Sequence, residues 1–283
     1  MKTDLASYKE RFEKLLAKTL EDYPVKLSPV WDAVVYAVCA GGKRVRPALA
    51  YMGAEIAGGR AEDADSVALA VEFIHNYSLI HDDLPCMDDD DLRRGRPTVH
   101  KAFGEGTAVL AGDALLNMAF EHVEGRAARY IARESGMRGM VGGQCLDLAN
   151  SGGAGVDGAA WLDKINSLKT SALFRAALVG GAIDAGADEK LCHSLENYAE
   201  ELGKVFQIVD DLLDALADES VLGKSAGQDA KNGKVTYVSL LGVVGAKARA
   251  EELNENCKSA LLPYGERAEK LISLADELIK RVK

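Results

Sequence analysis

Little in this chain can break a helix: proline occurs only six times in 283 residues, while Ala, Leu, Glu and Lys abound. Straight-chain side chains lose little rotamer freedom in a helix, and few prolines interrupt the backbone ladder. Strand-type alternation of apolar and polar residues is nearly absent, which excludes a β-rich fold. The five cysteines, Cys39, Cys86, Cys145, Cys192 and Cys257, are scattered and odd in number, and no CxxC pair occurs. That excludes a disulfide scaffold or an obvious zinc site and suits reduced thiols in a cytoplasmic protein. No apolar run reaches membrane-spanning length, and Met1 to Leu20 is charged and amphipathic rather than a secretory signal, so a soluble protein without membrane anchoring is expected. Basic residues are outnumbered, 34 Lys and Arg against 44 Asp and Glu, for a net charge of −10. A nucleic-acid binder needs a basic stripe to displace counterions, and that class is disfavoured.

What is present is helical. Val67, Val71 and Ile74 form one apolar stripe at three- and four-residue spacing; Leu202, Phe206, Val209 and Leu213 form another. The breaks are short and glycine-rich: Gly58-Gly59-Arg60, Ser151 to Gly155, and Gly223 to Gly227. None is long enough to link domains. The expectation is one all-α domain over residues 1–283, a bundle of about ten or more helices.

Two acidic strings interrupt this pattern. The first, His81 to Asp91, places six aspartates within ten residues, straight after an apolar helix and before Leu92-Arg93-Arg94-Gly95-Arg96. A solvated acidic loop would explain such a run. A cation site would explain it too, because Mg²⁺ takes one or two carboxylates together with water and substrate phosphate. In a straight helix Asp82 and Asp88 point about 120° apart, so a distortion at Pro85 is needed to aim both at one ion. The second string, Phe206-Gln207-Ile208-Val209-Asp210-Asp211-Leu212-Leu213-Asp214, lies inside an apolar helix. Asp210 and Asp214 share a face, with Gln207 a turn earlier and Gly203 beyond it. An acidic stripe there is costly unless each carboxylate is solvated or partnered.

Taken with Gly41-Gly42-Lys43-Arg44-Val45-Arg46-Pro47, Ile74 to Asp83, Ala111 to Leu115, Gly142-Gly143-Gln144, Lys169-Thr170 and Gly223 to Tyr237, these strings resemble the trans-type prenyl diphosphate synthases, bacterial farnesyl diphosphate synthases most of all. The likeness runs from about residue 41 to 241. It implies a helical bundle around a deep central cavity, working as a homodimer. It implies that Asp82 and Asp88, with Asp210 opposite, bind Mg²⁺ and the allylic diphosphate, about three ions per site, with Asp83, Asp211 and Asp214 as support or further ligands. Arg93, Lys169 and Lys234 match positions contacting the allylic diphosphate, with Lys224 nearby. Lys43, Arg46, His75 and Arg94 match the isopentenyl diphosphate site. Arg281 and Lys283 resemble a basic tail that closes over the second substrate. One departure is Val238, where the family commonly has proline; a changed helix start is expected there, not changed chemistry.

The implied reaction ionises an allylic diphosphate, adds the double bond of isopentenyl diphosphate to the cation, and loses a proton. Gln207 and Thr170 would stabilise positive charge. Tyr77, five residues before Asp82 and about 7.5 Å down the helix axis, would floor the cavity, with Ser78 beside it, favouring a fifteen-carbon product. A geranylgeranyl diphosphate synthase differs only in product length. A terpene cyclase would replace the second acidic string, and a non-catalytic subunit of a heteromeric synthase would lack acidic or basic site residues. Neither change is seen.

Overall fold

The computed structural model describes residues 5–150, 158–221 and 235–282, whose regular elements are helices apart from one small hairpin. They fall into two compact units. The first comprises Asp4–Ile131 with Gly180–Gly186, the second Ala132–Val179 with Ala187–Lys283.

In the first unit lie α1 (Leu5–Asp22), α2 (Val30–Val38), α3 (Val45–Ile56), α4 (Asp65–Asp82), the hairpin β1 (Leu92–Arg93) and β2 (Arg96–Pro97), α5 (Val99–Phe103) and α6 (Glu105–His122). Helix α4 is its centre, packing on α3 and α6. The stripe Val67, Val71 and Ile74 is fully buried, as are Ala68, Ala70 and Phe73 around it. A helix apolar nearly all round belongs in a core rather than on a surface. At its C-terminal end α4 meets α6 closely: a methyl on Gly112 would overlap the His81 ring. His81 Nε2 lies 3.1 Å from the Val109 carbonyl, so that nitrogen carries the proton.

The Gly-Gly-Lys-Arg string proves to contain one structural arginine. Arg44 takes a left-handed backbone, φ 50°, and turns its side chain into the core. There Nε donates to Glu13 (2.8 Å), Nη1 to Glu72 (2.6 Å) and Nη2 to the Val38 carbonyl (2.7 Å). Three elements are tied by one guanidinium, and its neighbours Lys43 and Arg46 are set on either side of that anchor. Glu72 is buried, so Arg44→Ala would strand its charge. The expected loss is about 3–5 kcal/mol by chemical denaturation. A loss below 1 kcal/mol, on the same scale, would contradict the anchor.

The second unit holds α8 (Met140–Asn150), α9 (Ala159–Asn166), a wide π-helical turn (Ser167–Ser171), α11 (Glu189–Val221), α12 (Tyr237–Leu261) and α13 (Glu269–Lys280). Helices α7 (Gly125–Ser135) and α10 (Ala172–Asp184) contribute residues to both units. The 33-residue α11 packs along α12 and against the wide turn, and Leu202, Val205, Ile208, Val209 and Leu212 are fully buried there. Helix α12 starts at Tyr237 with a reciprocal cap: Ser239 N–H donates to Thr236 Oγ1 (3.1 Å), and Thr236 N–H to Ser239 Oγ (2.9 Å). This cap defines the start of the helix with Val238 in place. No described helix is long and apolar enough to cross a membrane.

Candidate active site

Helix α4 stops where the first acidic string begins. Leu84 N–H still reaches back to His81, Pro85 then prevents continuation, and the chain doubles back. Asp88 N–H donates to the Asp82 carbonyl at 2.9 Å, and Asp89, at φ 51°, donates to Leu84 at 3.1 Å. The distortion expected at Pro85 therefore brings Asp82 and Asp88 side by side, both half-buried. Asp83 goes the other way. It is 2% exposed, and Arg93 clamps it, Nε lying 2.8 Å from both oxygens and Nη2 2.5 Å from Oδ1. Of the two readings open for Asp83, support fits better than direct ligation, and Arg93, expected on the allylic diphosphate, is here its partner.

The clamp rides on the hairpin, whose turn residues Arg94 (φ 54°) and Gly95 (φ 74°) both have left-handed backbones, as such tight turns require. Arg94 donates to the Gly41 carbonyl, and a side chain at Gly42 (φ 142°) would come within 3.2 Å of its guanidinium. His75 belongs to the same cluster. Burial, with Arg46, Arg94, Arg93 and Arg44 around it, holds its imidazole well below the ordinary value of 6.5. Arg94 is itself lowered, by burial and by Arg44 and Arg93. A neutral imidazole among crowded guanidiniums is a site that an anion would relieve. The sequence-predicted group of Arg46, His75 and Arg94 is thus assembled, with Lys43 exposed next to Arg44.

The sign of the histidine effect follows directly. Below pH 6.5 the unfolded chain takes up a proton that the folded chain refuses, so stability falls as pH falls. His75→Gln should lose less stability than the parent between pH 7 and pH 5 in denaturant titrations. Parallel pH slopes would show that His75 is not held neutral.

Tyr77 lies beneath Asp82. It is 7% exposed, its ring meets His81 edge-on at 5.8 Å, and burial with the Asp82 charge pushes its hydroxyl up to about 12. The Ser78 hydroxyl turns back to the His75 carbonyl (2.9 Å) and is spent within α4.

In the second string the aspartates sort in the same manner. Asp210 is half-buried and Asp214 exposed, one turn apart on α11, while Asp211 is 7% exposed. Asp211 accepts from Gln207 Nε2 (2.9 Å) and from Tyr237 N–H (2.9 Å), which again fits support. Buried Tyr237 continues the chain, donating to Asp163 (2.6 Å), which also meets Arg249 (3.2 Å). Thr170 Oγ1 lies 3.4 Å from Gln207 Oε1, bringing that predicted pair together. Arg281, expected over the second substrate, stands 3.7 Å from Asp210. Lys224, Lys234 and Lys283 lie outside the described residues.

Lys169 and Thr170 occupy the π-helical turn, a rare conformation that recurs at functional sites. Lys169 Nζ meets Asp147 at 2.6 Å. Asp147 is absent from the residues selected from the sequence; its signal was the Gly-Gly-Gln string one turn earlier on α8. Glycine is required there by close approach: a methyl on Gly143 would overlap the Lys169 backbone nitrogen, and one on Gly203 would overlap Ser171. The wide turn is thus wedged between α8 and α11, backbone against backbone. Gly143→Ala should displace Lys169 and lower turnover about 10²-fold, the scale of an ångström-size misplacement. Steady-state kinetics showing wild-type turnover would refute this.

Among the described residues no three metal-ligating side chains converge on one point. Magnesium does not demand that, since water and substrate phosphate complete its octahedron. Asp82 beside Asp88, and Asp210 a turn from Asp214, are hard oxygen donors of the kind it uses, so the residues fit the ion.

A family model described as polyprenyl synthetase matches residues 29–271. A dimethylallyltranstransferase of Fischerella ambigua is 43% identical, over 98% of this chain and 82% of its own length. Geranylgeranyl pyrophosphate synthase 11 of Arabidopsis thaliana, a chloroplastic protein, is 45% identical over 89% of this chain and 74% of that protein. In structure, an FPP/GFPP synthase from Zymomonas mobilis superposes with a TM-score of 0.85 at 37% identity, covering 99% of this chain and all of its own.

Proposed function

The chain belongs to the polyprenyl synthetase family and is a short-chain prenyltransferase, and from that premise we propose that it condenses isopentenyl diphosphate with dimethylallyl and then geranyl diphosphate to give farnesyl diphosphate. In this reading the whole chain acts as one synthase domain, as a cytoplasmic homodimer; exposed Val109 and Phe120, which share a face of α6, support the pairing.

Asp82 and Asp88 would hold Mg²⁺ for the allylic diphosphate, and Asp210 and Asp214 would serve as further Mg²⁺ ligands. Bound Mg²⁺ supplies electrostatic stabilisation to the leaving diphosphate. Asp83 and Asp211 hold the backbone and side chains next to those ligands in place. Lys169, steered by Asp147, adds positive charge at the diphosphate, together with Lys224 and Lys234. Lys43, Arg46, His75 and Arg94 bind the diphosphate of isopentenyl diphosphate. The carbon–oxygen bond of the allylic diphosphate breaks first, the double bond of isopentenyl diphosphate then attacks the resulting cation, and the proton lost afterwards passes to the departing diphosphate. Gln207 gives its amide hydrogen to Asp211, leaving its oxygen on the Thr170 side for the developing cation. Apolar helix walls exclude water that would quench that cation.

Tyr77 carries the assignment of product length. It is bulky, buried and within electrostatic reach of Asp82, which suits a floor beneath the first ligands. A twenty-carbon product is the second reading, favoured by relatives named geranylgeranyl pyrophosphate synthases. Incubation with Mg²⁺, isopentenyl diphosphate and each allylic primer, followed by chromatography of the dephosphorylated alcohols, should yield farnesol. Geranylgeraniol as main product would favour the second reading, and no prenyl alcohol at all would sink both. Tyr77→Ala should shift the product to twenty carbons or longer; an unchanged product would remove the floor assignment.

A further inference from the structure

The wide turn that carries Lys169 and Thr170 is clamped at both ends by one buried ionic frame. Arg175, on α10 just past the turn, is 13% exposed along its side chain. Its Nε and Nη2 grip Glu134 at 2.8 and 2.7 Å. Its Nη1 reaches Glu200 and also the carbonyl of Ser167, the first residue of the turn, at 3.3 Å. Ser171, the last residue of the turn, donates its hydroxyl to the Glu200 carbonyl at 2.8 Å. Glu200 is in turn held by Lys204 (3.0 Å), and Glu134 by Arg133 (2.8 Å). One frame therefore fixes residues 167 and 171, with the functional pair suspended between them.

Physical cost explains why such a frame is needed. A π turn is rarer than the α-helix around it, and relaxation to a regular helix would rotate every side chain beyond the inserted residue. Drawing four charges, Arg175, Glu134, Glu200 and Lys204, largely out of water to prevent this is a poor route to stability alone, since packed apolar side chains would serve as well or better. It is a good route to a unique register, because a forked guanidinium satisfies its carboxylates in one geometry only. We infer that Arg175, with Glu134 and Glu200, is a positioning residue that sets the wide turn and thereby aims Lys169 at the allylic diphosphate. This rests on the reading of Lys169 as a diphosphate ligand, and none of the three residues is assigned to substrate in that reading.

The test is a pair of mutant cycles on the full chain, with Arg175→Gln and Glu200→Gln each made alone and with Lys169→Ala. Turnover and KM for geranyl and isopentenyl diphosphates would be measured beside denaturation curves. Arg175→Gln should cut turnover about 30-fold or more while KM for isopentenyl diphosphate stays within about twofold. Arg175→Lys, which can keep one carboxylate but not the fork, should recover part of the loss. In the Lys169→Ala background, Arg175→Gln should cost less than about threefold, because the group it aims is gone. If Arg175→Gln does not fold, Glu200→Gln, which keeps shape and removes one charge, must show the same non-additivity. Fully additive losses, or wild-type turnover in a folded Arg175→Gln, would overturn the inference while leaving Lys169 a ligand. Unimpaired Lys169→Ala would overturn both readings.

Discussion

Charge cannot be drawn out of water without a partner, and that single constraint orders the interior of this protein. Arg44 lies between Glu13 and Glu72, Asp83 in the fork of Arg93, and Arg175 between Glu134 and Glu200. The same rule sorts each acidic string. Asp83 and Asp211 point inward and are satisfied by neighbouring elements, whereas Asp82, Asp88, Asp210 and Asp214 keep part of their surface in solvent. Adjacent, identical residues thus receive different work from burial alone. Asp83 and Asp211 stiffen the scaffold, and in the proposed reading their more exposed neighbours would meet divalent ions.

Much of this was legible in the sequence. Scarce proline and the 67–71–74 spacing foretold a buried helix, and Pro85 foretold the break that lets Asp88 fold back onto Asp82. The lysine–arginine cluster at residues 43–46 was legible through residue type, whereas His75 was reached only through the resemblance, a lone histidine being more often an ordinary core residue. The division within each cluster was not. Whether Arg44 or Arg46 turns inward depends on Glu72, 28 residues away, and on a left-handed backbone at a non-glycine residue. Long-range pairing of that kind leaves no local periodicity to read.

The wide turn was hidden for a related reason. Nothing in Ser167-Leu168-Lys169-Thr170-Ser171 distinguishes a π turn from an ordinary helix; its causes lie elsewhere, in Gly143, Gly203 and Arg175. Glycine in α8 and α11 is locally a poor choice for a helix, costing about 1 kcal/mol against alanine. It makes sense only once the packed backbone is seen. Asp147 escaped notice because an isolated carboxylate on a helix has many bland explanations, and only its salt bridge to Lys169 singles it out.

In the proposed reading, the position of Arg281 bears on how the second carboxylate set would meet a cation. A guanidinium 3.7 Å from Asp210 is a counter-charge that the polypeptide itself supplies from the residue capping α13. An arriving divalent ion would have to compete with it, and its affinity at that edge would be the intrinsic one less the work of moving Arg281 aside. Added monovalent salt would weaken the resident partner and the incoming ion alike. Magnesium titrations at this edge would then report a difference between two attractions rather than the strength of one.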